Sequence, residues 1–154
     1  MTDIRLDAPD PQRAELARAV ARVTSDYVLR MLRLLCDLHG GELITAIVCQ
    51  AIIAANTARL NDRGCAAPDM VPPDELRRPI SILSLAGSLG LPFETTRRHV
   101  AKLMDAGICR RVRGGVIVPA SVLDNPITAA AAETNLANVQ RLVRGLRRAG
   151  LPLD

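Results

Sequence analysis

The sequence predicts a mainly α-helical protein with one small β-hairpin, flanked by long N- and C-terminal helices. Three observations lead there. Apolar residues recur at helical spacing through residues 11–39 and again through 126–149, a Gly-Leu-Pro corner divides two shorter helical patterns between them, and two β-branched runs meet at Gly114 and Gly115. With 154 residues and 49% hydrophobic side chains, the chain has the length of one domain and enough apolar material for a core. Aromatic residues are only 1%, a single Tyr27 and a single Phe93, so the core must be built from Leu, Ile, Val and Ala, which suit close helix packing.

The first helix carries Leu16, Val20, Val23, Tyr27, Met31, Leu34 and Leu38 at steps of three or four, a single stripe. Pro11 fits its first turn, and Gly40 and Gly41 fit its end. Its other face holds Arg13, Arg18, Arg22, Arg30, Arg33 and Asp37. The second helix, 42–60, has Leu43, Ile44, Ile47, Val48, Ile52 and Ile53 around nearly its whole circumference, so most of its sides are expected to be covered. The apolar run 43–55 contains Gln50 and falls short of the roughly 20 residues a bilayer span needs. Residues 61–79 concentrate Gly, Pro and Asp and read as a connector with at most one helical turn at 74–78. After the central stretch, Asn125 and Pro126 open a last helix that runs to about Ala149, with Leu136, Val139, Leu142 or Val143, and Leu146 as its stripe.

The central stretch carries the chemistry. Ser81 is placed to cap a short helix over 82–89 that turns Leu85, Ala86 and Leu89 to one side. Gly90 can take the left-handed conformation, Leu91 can plug the angle, and Pro92 presets the next helix. Two helices meeting at so tight a corner make a helix-turn-helix arrangement. Winding 93–105 at helical pitch sends Thr96, Val100, Leu103 and Met104 inward and Glu94, Thr95, Arg98 and Lys102 outward, with Arg97 and His99 on the flanks. Such a strip has the width and charge to enter a major groove, where Arg grips guanine or phosphate. Residues 108–112 and 116–118 then read as a hairpin turning at 113–115, with Arg110, Arg111 and Arg113 set to follow a phosphate backbone or reach a minor groove. Between 97 and 113 six basic residues face one acid, Asp105, so the basic surface of this chain, net charge +4, is expected there.

The segment LAGSLGLPFETTRRHVAKLMDAGICRRV resembles the winged helix-turn-helix DNA-binding domain of bacterial transcriptional regulators, similar to the MarR, IclR and GntR groups. The resemblance covers residues 79–119, about a quarter of the chain. It implies a recognition helix at 93–105, a wing at 110–116, and double-stranded DNA as partner, contacted by Glu94, Thr95, Arg97, Arg98, Lys102, Arg110, Arg111 and Arg113. Thr96 stands where such domains usually carry Val or Ile, one methyl less for the packing. Regulators of this type commonly dimerise through long terminal helices, which implies a homodimer built from 11–60 and 126–149. The expected organisation is therefore a dimerisation region at 1–62, a linker at 63–78, the DNA-binding domain at 79–120, and at 121–154 a helix packing on the N-terminal ones.

Other chemistries have less in their favour. Cys36, Cys49, Cys65 and Cys109 are widely spaced and read as inert buried thiols rather than a redox or metal site, and two histidines far apart add no zinc set. No phosphate-cradling glycine loop, nucleophile elbow or paired acids mark an enzyme, so neither catalysis nor a cofactor is expected. Lone aromatics disfavour single-strand recognition by stacking. Glu94 is as well placed to favour the helix dipole as to read cytosine, and His99 reads as a packed side chain before a base reader. The N-terminus MTDIRLDAPDPQ has no apolar core behind a charged start, so the cytoplasm is the expected compartment. The competing readings are a winged helix used as a protein-interaction module in a larger assembly, and a regulator responding to a small ligand or to thiol oxidation.

Overall fold

The computed structural model describes residues 10–63 and 71–153, with backbone alone for 59–63. Cys65, the first nine residues and the middle of the connector lie outside the described residues. In chain order the elements are α1 (Pro11–Leu38), α2 (Leu43–Arg63), a single 3-10 turn (Asp74–Leu76), α3 (Ile82–Leu89), α4 (Phe93–Asp105), β1 (Arg110–Val112), β2 (Gly115–Ile117), α5 (Ala120–Leu123) and α6 (Pro126–Arg148). The molecule is thus mainly α with one small antiparallel sheet. The chain divides into two compact units, one over Leu35–Ala132 and one that joins the first 34 residues to the stretch from Glu133 onward.

The central unit closes around α2. Thr45, Ala46, Val48, Cys49, Ile52 and Asn56 are buried along one side of this helix. Val48, Cys49 and Ile52 join Leu85, Val100, Leu103, Cys109, Val116 and Val118 in the core. The expectation that α2 belongs with the N-terminal region is corrected, whereas its expected cover on most sides holds except along one strip. It is the central unit's own core helix, and Leu43 and Ile44 remain 39% and 41% exposed. Burial of an apolar helix is satisfied by whichever partner supplies a complementary face, and here α3, α4 and the hairpin supply it.

Local signals set the elements around that core. The Ser81 hydroxyl accepts the Ser84 N–H at 3.0 Å and starts α3. Gly90 ends it in the left-handed conformation, φ 63°, with Leu91 N–H returning to the Ala86 carbonyl. In the hairpin Arg110 pairs with Ile117, Arg111 with Val116 and Val112 with Gly115, so Arg113 and Gly114 alone form the turn and Gly115 is a strand residue. Ile80 bridges Val116 on the other edge of β2, their N–H and C=O groups exchanged at 2.9 and 3.2 Å. A Cβ at Gly115 would run into the Ile80 carbonyl and reach 2.8 Å from the Ser81 nitrogen, so that close backbone approach demands glycine. The sequence reading did not foresee α5, four residues whose first free N–H, at Ala120, is taken by Asp74 Oδ1 at 2.7 Å.

The second unit is a pair of helices. Val23 of α1 meets α6 at Gly145, where any Cβ would stand 2.6 Å from Val23 Cγ1. Tyr27 lies toward Asn135, its hydroxyl donating to Asn135 Oδ1 at 3.5 Å, so the two helices run antiparallel. The α1 stripe is half-buried throughout and so are Val139, Leu142, Val143 and Leu146 of α6, but Leu136, placed in the α6 stripe, is 50% exposed, and its neighbour Asn135 is the residue turned to Tyr27; neither helix contains a buried residue. Among the described residues no single helix is long and apolar enough to cross a membrane.

Candidate nucleic-acid interface

Thr96, His99, Val100 and Leu103 form the buried face of α4. Thr96 is fully buried and its hydroxyl donates to the Pro92 carbonyl at 3.2 Å, so the helix absorbs a polar atom where an aliphatic side chain would have no such need. Glu94, Arg97, Arg98, Ala101, Lys102 and Asp105 are exposed on the opposite side, and Thr95 is half-buried. Burying one face of a 13-residue helix leaves the other as a continuous polar strip, the consequence of its 3.6-residue period. Arg110, Arg111 and Arg113 are exposed on the hairpin.

The reading of His99 as a packed side chain is borne out: it is 7% exposed and turned toward α2. There Thr45 Oγ1 donates its one proton to Glu42 Oε2 at 2.6 Å and so accepts from His99 Nδ1–H at 2.8 Å. Burial, then the Lys102 and Arg98 charges, lower the His99 pKa below its ordinary 6.5, with Glu42 opposing them. The helix thus holds a neutral imidazole against α2.

The sequence count of an excess of positive charge overlooks carboxylates folded in from elsewhere. Lys102 Nζ donates to both oxygens of Glu42, at 2.7 and 2.8 Å. Arg110 Nη2 donates to Asp74 Oδ2 at 2.9 Å, and Arg97 Nε to Glu94 Oε2 at 2.9 Å. Glu42 and Asp74 are held below their ordinary carboxylate pKa values, first by these hydrogen bonds from Lys102 and Arg110. Three of the six nominated cations therefore carry a carboxylate partner, while among the described residues Arg98, Arg111 and Arg113 carry none. Glu94, offered as a base reader or a dipole partner, is engaged with Arg97 in this state.

Two supports of the surface were not anticipated. Asn56, 1% exposed, gives its amide protons to the carbonyls of Arg78 at 2.8 Å and Val116 at 3.3 Å, and accepts the Val118 N–H at 3.0 Å. It ties α2 to β2 and to the segment leading into α3. Its signal in the sequence is a polar residue four places after Ile52 on the buried stripe. Arg77 is also buried, with Nη2 donating to the Pro72 carbonyl at 2.9 Å and Nε 3.5 Å from Asp74 Oδ1. Its side chain sits behind the Asp74 carboxylate that Arg110 and Ala120 share. Among the described residues no group of three or more His, Cys, Asp or Glu side chains could hold a metal ion.

No family model, curated protein or solved structure was found to match this chain.

Proposed function

We propose that the chain is a winged helix-turn-helix transcriptional regulator that binds double-stranded DNA as a homodimer and performs no catalysis. The observation that carries this reading is the division of α4, core on one side and Arg98 with its exposed neighbours on the other, beside a hairpin whose arginines also face solvent. In this reading α4 is the recognition helix and the hairpin the wing. Arg98, Arg111 and Arg113 make the first contacts, because they need not leave a partner to do so. Arg97, Lys102 and Arg110 exchange a carboxylate for a phosphate. Glu94 and Thr95 line the base-facing end of the helix.

The antiparallel pair of α1 and α6 supports the homodimer. Neither helix contains a buried residue, and a second copy of the pair would complete a four-helix layer. Such an assembly belongs in the cytoplasm. The protein-interaction reading rests on the exposed Leu83 and Leu76, 71% and 52% accessible. A thiol-responsive reading has little support at Cys49 and Cys109, whose pKa values burial pushes up to about 12 and about 11, so neither is a ready thiolate.

The test is a titration of the wild-type chain and Arg98→Ala against a panel of duplexes at several salt concentrations. The expected loss for Arg98→Ala is about 1 to 3 kcal/mol with relaxed sequence preference if Arg98 reads a base, and a uniform weakening if it holds a phosphate. A wild-type chain that shifts no duplex at low salt would falsify the proposal and favour the protein-interaction module.

A further inference from the structure

Glu42 lies 60 residues before Lys102 and outside the segment that resembles a DNA-binding domain, yet both of its oxygens are occupied by α4 and its support. Lys102 takes both, and Thr45 adds its hydroxyl to one of them. His99, one helical turn before Lys102, closes the chain through Thr45. The α2-facing flank of α4 is therefore gripped twice, once by charge and once by neutral hydrogen bonds.

The two grips differ in kind. The His99 contact is buried, whereas the ion pair lies in water, with 47% of the Lys102 side chain and 48% of Glu42 exposed. An ion pair so placed is weak and exchangeable. A phosphate diester presents the same acceptor chemistry to an ammonium as a carboxylate does, so the two compete for one cation. The other carboxylates are less free to act in this way. Glu94 pairs within its own helix turn, and Asp74 also caps α5.

Resting on the DNA-binding reading above, we propose that Glu42 sets the sequence-blind affinity of α4 for duplex DNA, holding Lys102 in an intramolecular ion pair that a backbone phosphate must displace. The cost falls on the Lys102 phosphate contact in specific and non-specific complexes alike. Both affinities are lowered by the same factor, and their ratio stays with the base contacts of Arg98 and its neighbours.

The substitution Glu42→Gln removes the charge and keeps an acceptor for Thr45. The probe is a fluorescent random-sequence duplex of about 25 base pairs, long enough for two half-sites one turn apart, titrated from about 50 to 200 mM salt. Glu42→Gln is expected to bind about three- to tenfold tighter at the low end, with a salt slope steeper by about 0.9, the value of one further phosphate contact. In a Lys102→Gln background the same change is expected to have little effect, because the cation it frees is gone. The His99 imidazole, followed by NMR, is expected to titrate at lower pH in Glu42→Gln, which reports the network whether or not DNA is present.

Unchanged affinity and slope in a protein whose His99 titration has moved would overturn the role of Glu42 and leave the DNA-binding reading standing. Equal tightening with and without Lys102 would overturn it too, assigning the effect to simple repulsion between Glu42 and DNA. Absence of duplex binding by both proteins at the lowest salt would overturn the DNA-binding reading, and this proposal with it.

Discussion

Leu85, Val100 and Leu103 of the central unit have lost almost all contact with solvent, whereas the α1 stripe is only half-buried, Leu136 of the α6 stripe keeps 50% of its surface, and Leu29, off the α1 stripe, keeps 67%. Both regions are built from the same aliphatic side chains in equally regular stripes. They differ in the number of layers. In the central unit α2 is met by α3, α4 and β2, so each apolar face finds an opposing face. Within their own unit α1 and α6 have only each other to pack against, and two helices cannot enclose a core between them. Periodicity shows which side of a helix is apolar, and the count of partners decides whether that side becomes dry.

The sharpest way to break this comparison is to shorten a side chain in each region. Leu103→Ala, at a fully buried position, is expected to cost about 2 to 5 kcal/mol in urea denaturation. Leu29→Ser is expected to stay within about 0.5 kcal/mol for an isolated chain. If a second copy covers α1, Leu29→Ser instead lowers the midpoint in a way that depends on protein concentration, and sedimentation shows the dimer weakened. Equal losses at the two positions with no concentration dependence would show that the regions do not differ as described.

Acid sharpens the contrast by a smaller effect. His99 has its pKa lowered by folding, so its contribution to stability is complete above its ordinary 6.5 and is lost as pH falls below that value. Asp26 of α1, Glu42 and Asp74 are lowered too, and being acids they contribute above their ordinary values of 3.8 to 4.5 and fail only as pH falls through still lower ones. Between about pH 6.5 and 4.5 the loss should therefore belong to the central unit and vanish in His99→Gln, read as a flat denaturation midpoint over that range. A slope unchanged by the substitution would assign it elsewhere.

The elements that could be read in advance are those fixed by neighbours in sequence. Ser81, Gly90 and Pro92 define the α3–α4 corner within a dozen residues, Asn125 accepts the N–H groups of Ile127 and Thr128 just ahead of α6, and the hairpin is announced by its glycines. The inward face of α4 followed from winding alone, apart from His99, whose burial depends on Thr45, 54 residues away. The charge of the surface was legible only in part for the same reason. Asp74 reaches Arg110 across 36 residues, and nothing local to Arg110 marks it. The four residues of α5 are too few to show a helical period, and their start is set by that same distant carboxylate. The place of α2 was misread because an apolar helix advertises its need for cover and not who will provide it.

Asn56 carries a consequence for how this chain can vary. Its amide acts as donor and acceptor at once, toward two carbonyl oxygens and one N–H. Aspartate has the same outline but would turn lone pairs toward the Arg78 and Val116 carbonyls, and leucine fills the volume while answering none of the three groups. Only a carboxamide of this reach solves the local puzzle. Position 56 is therefore a fingerprint by which distant versions of this architecture could be recognised, even where the arginines that face solvent have been rewritten.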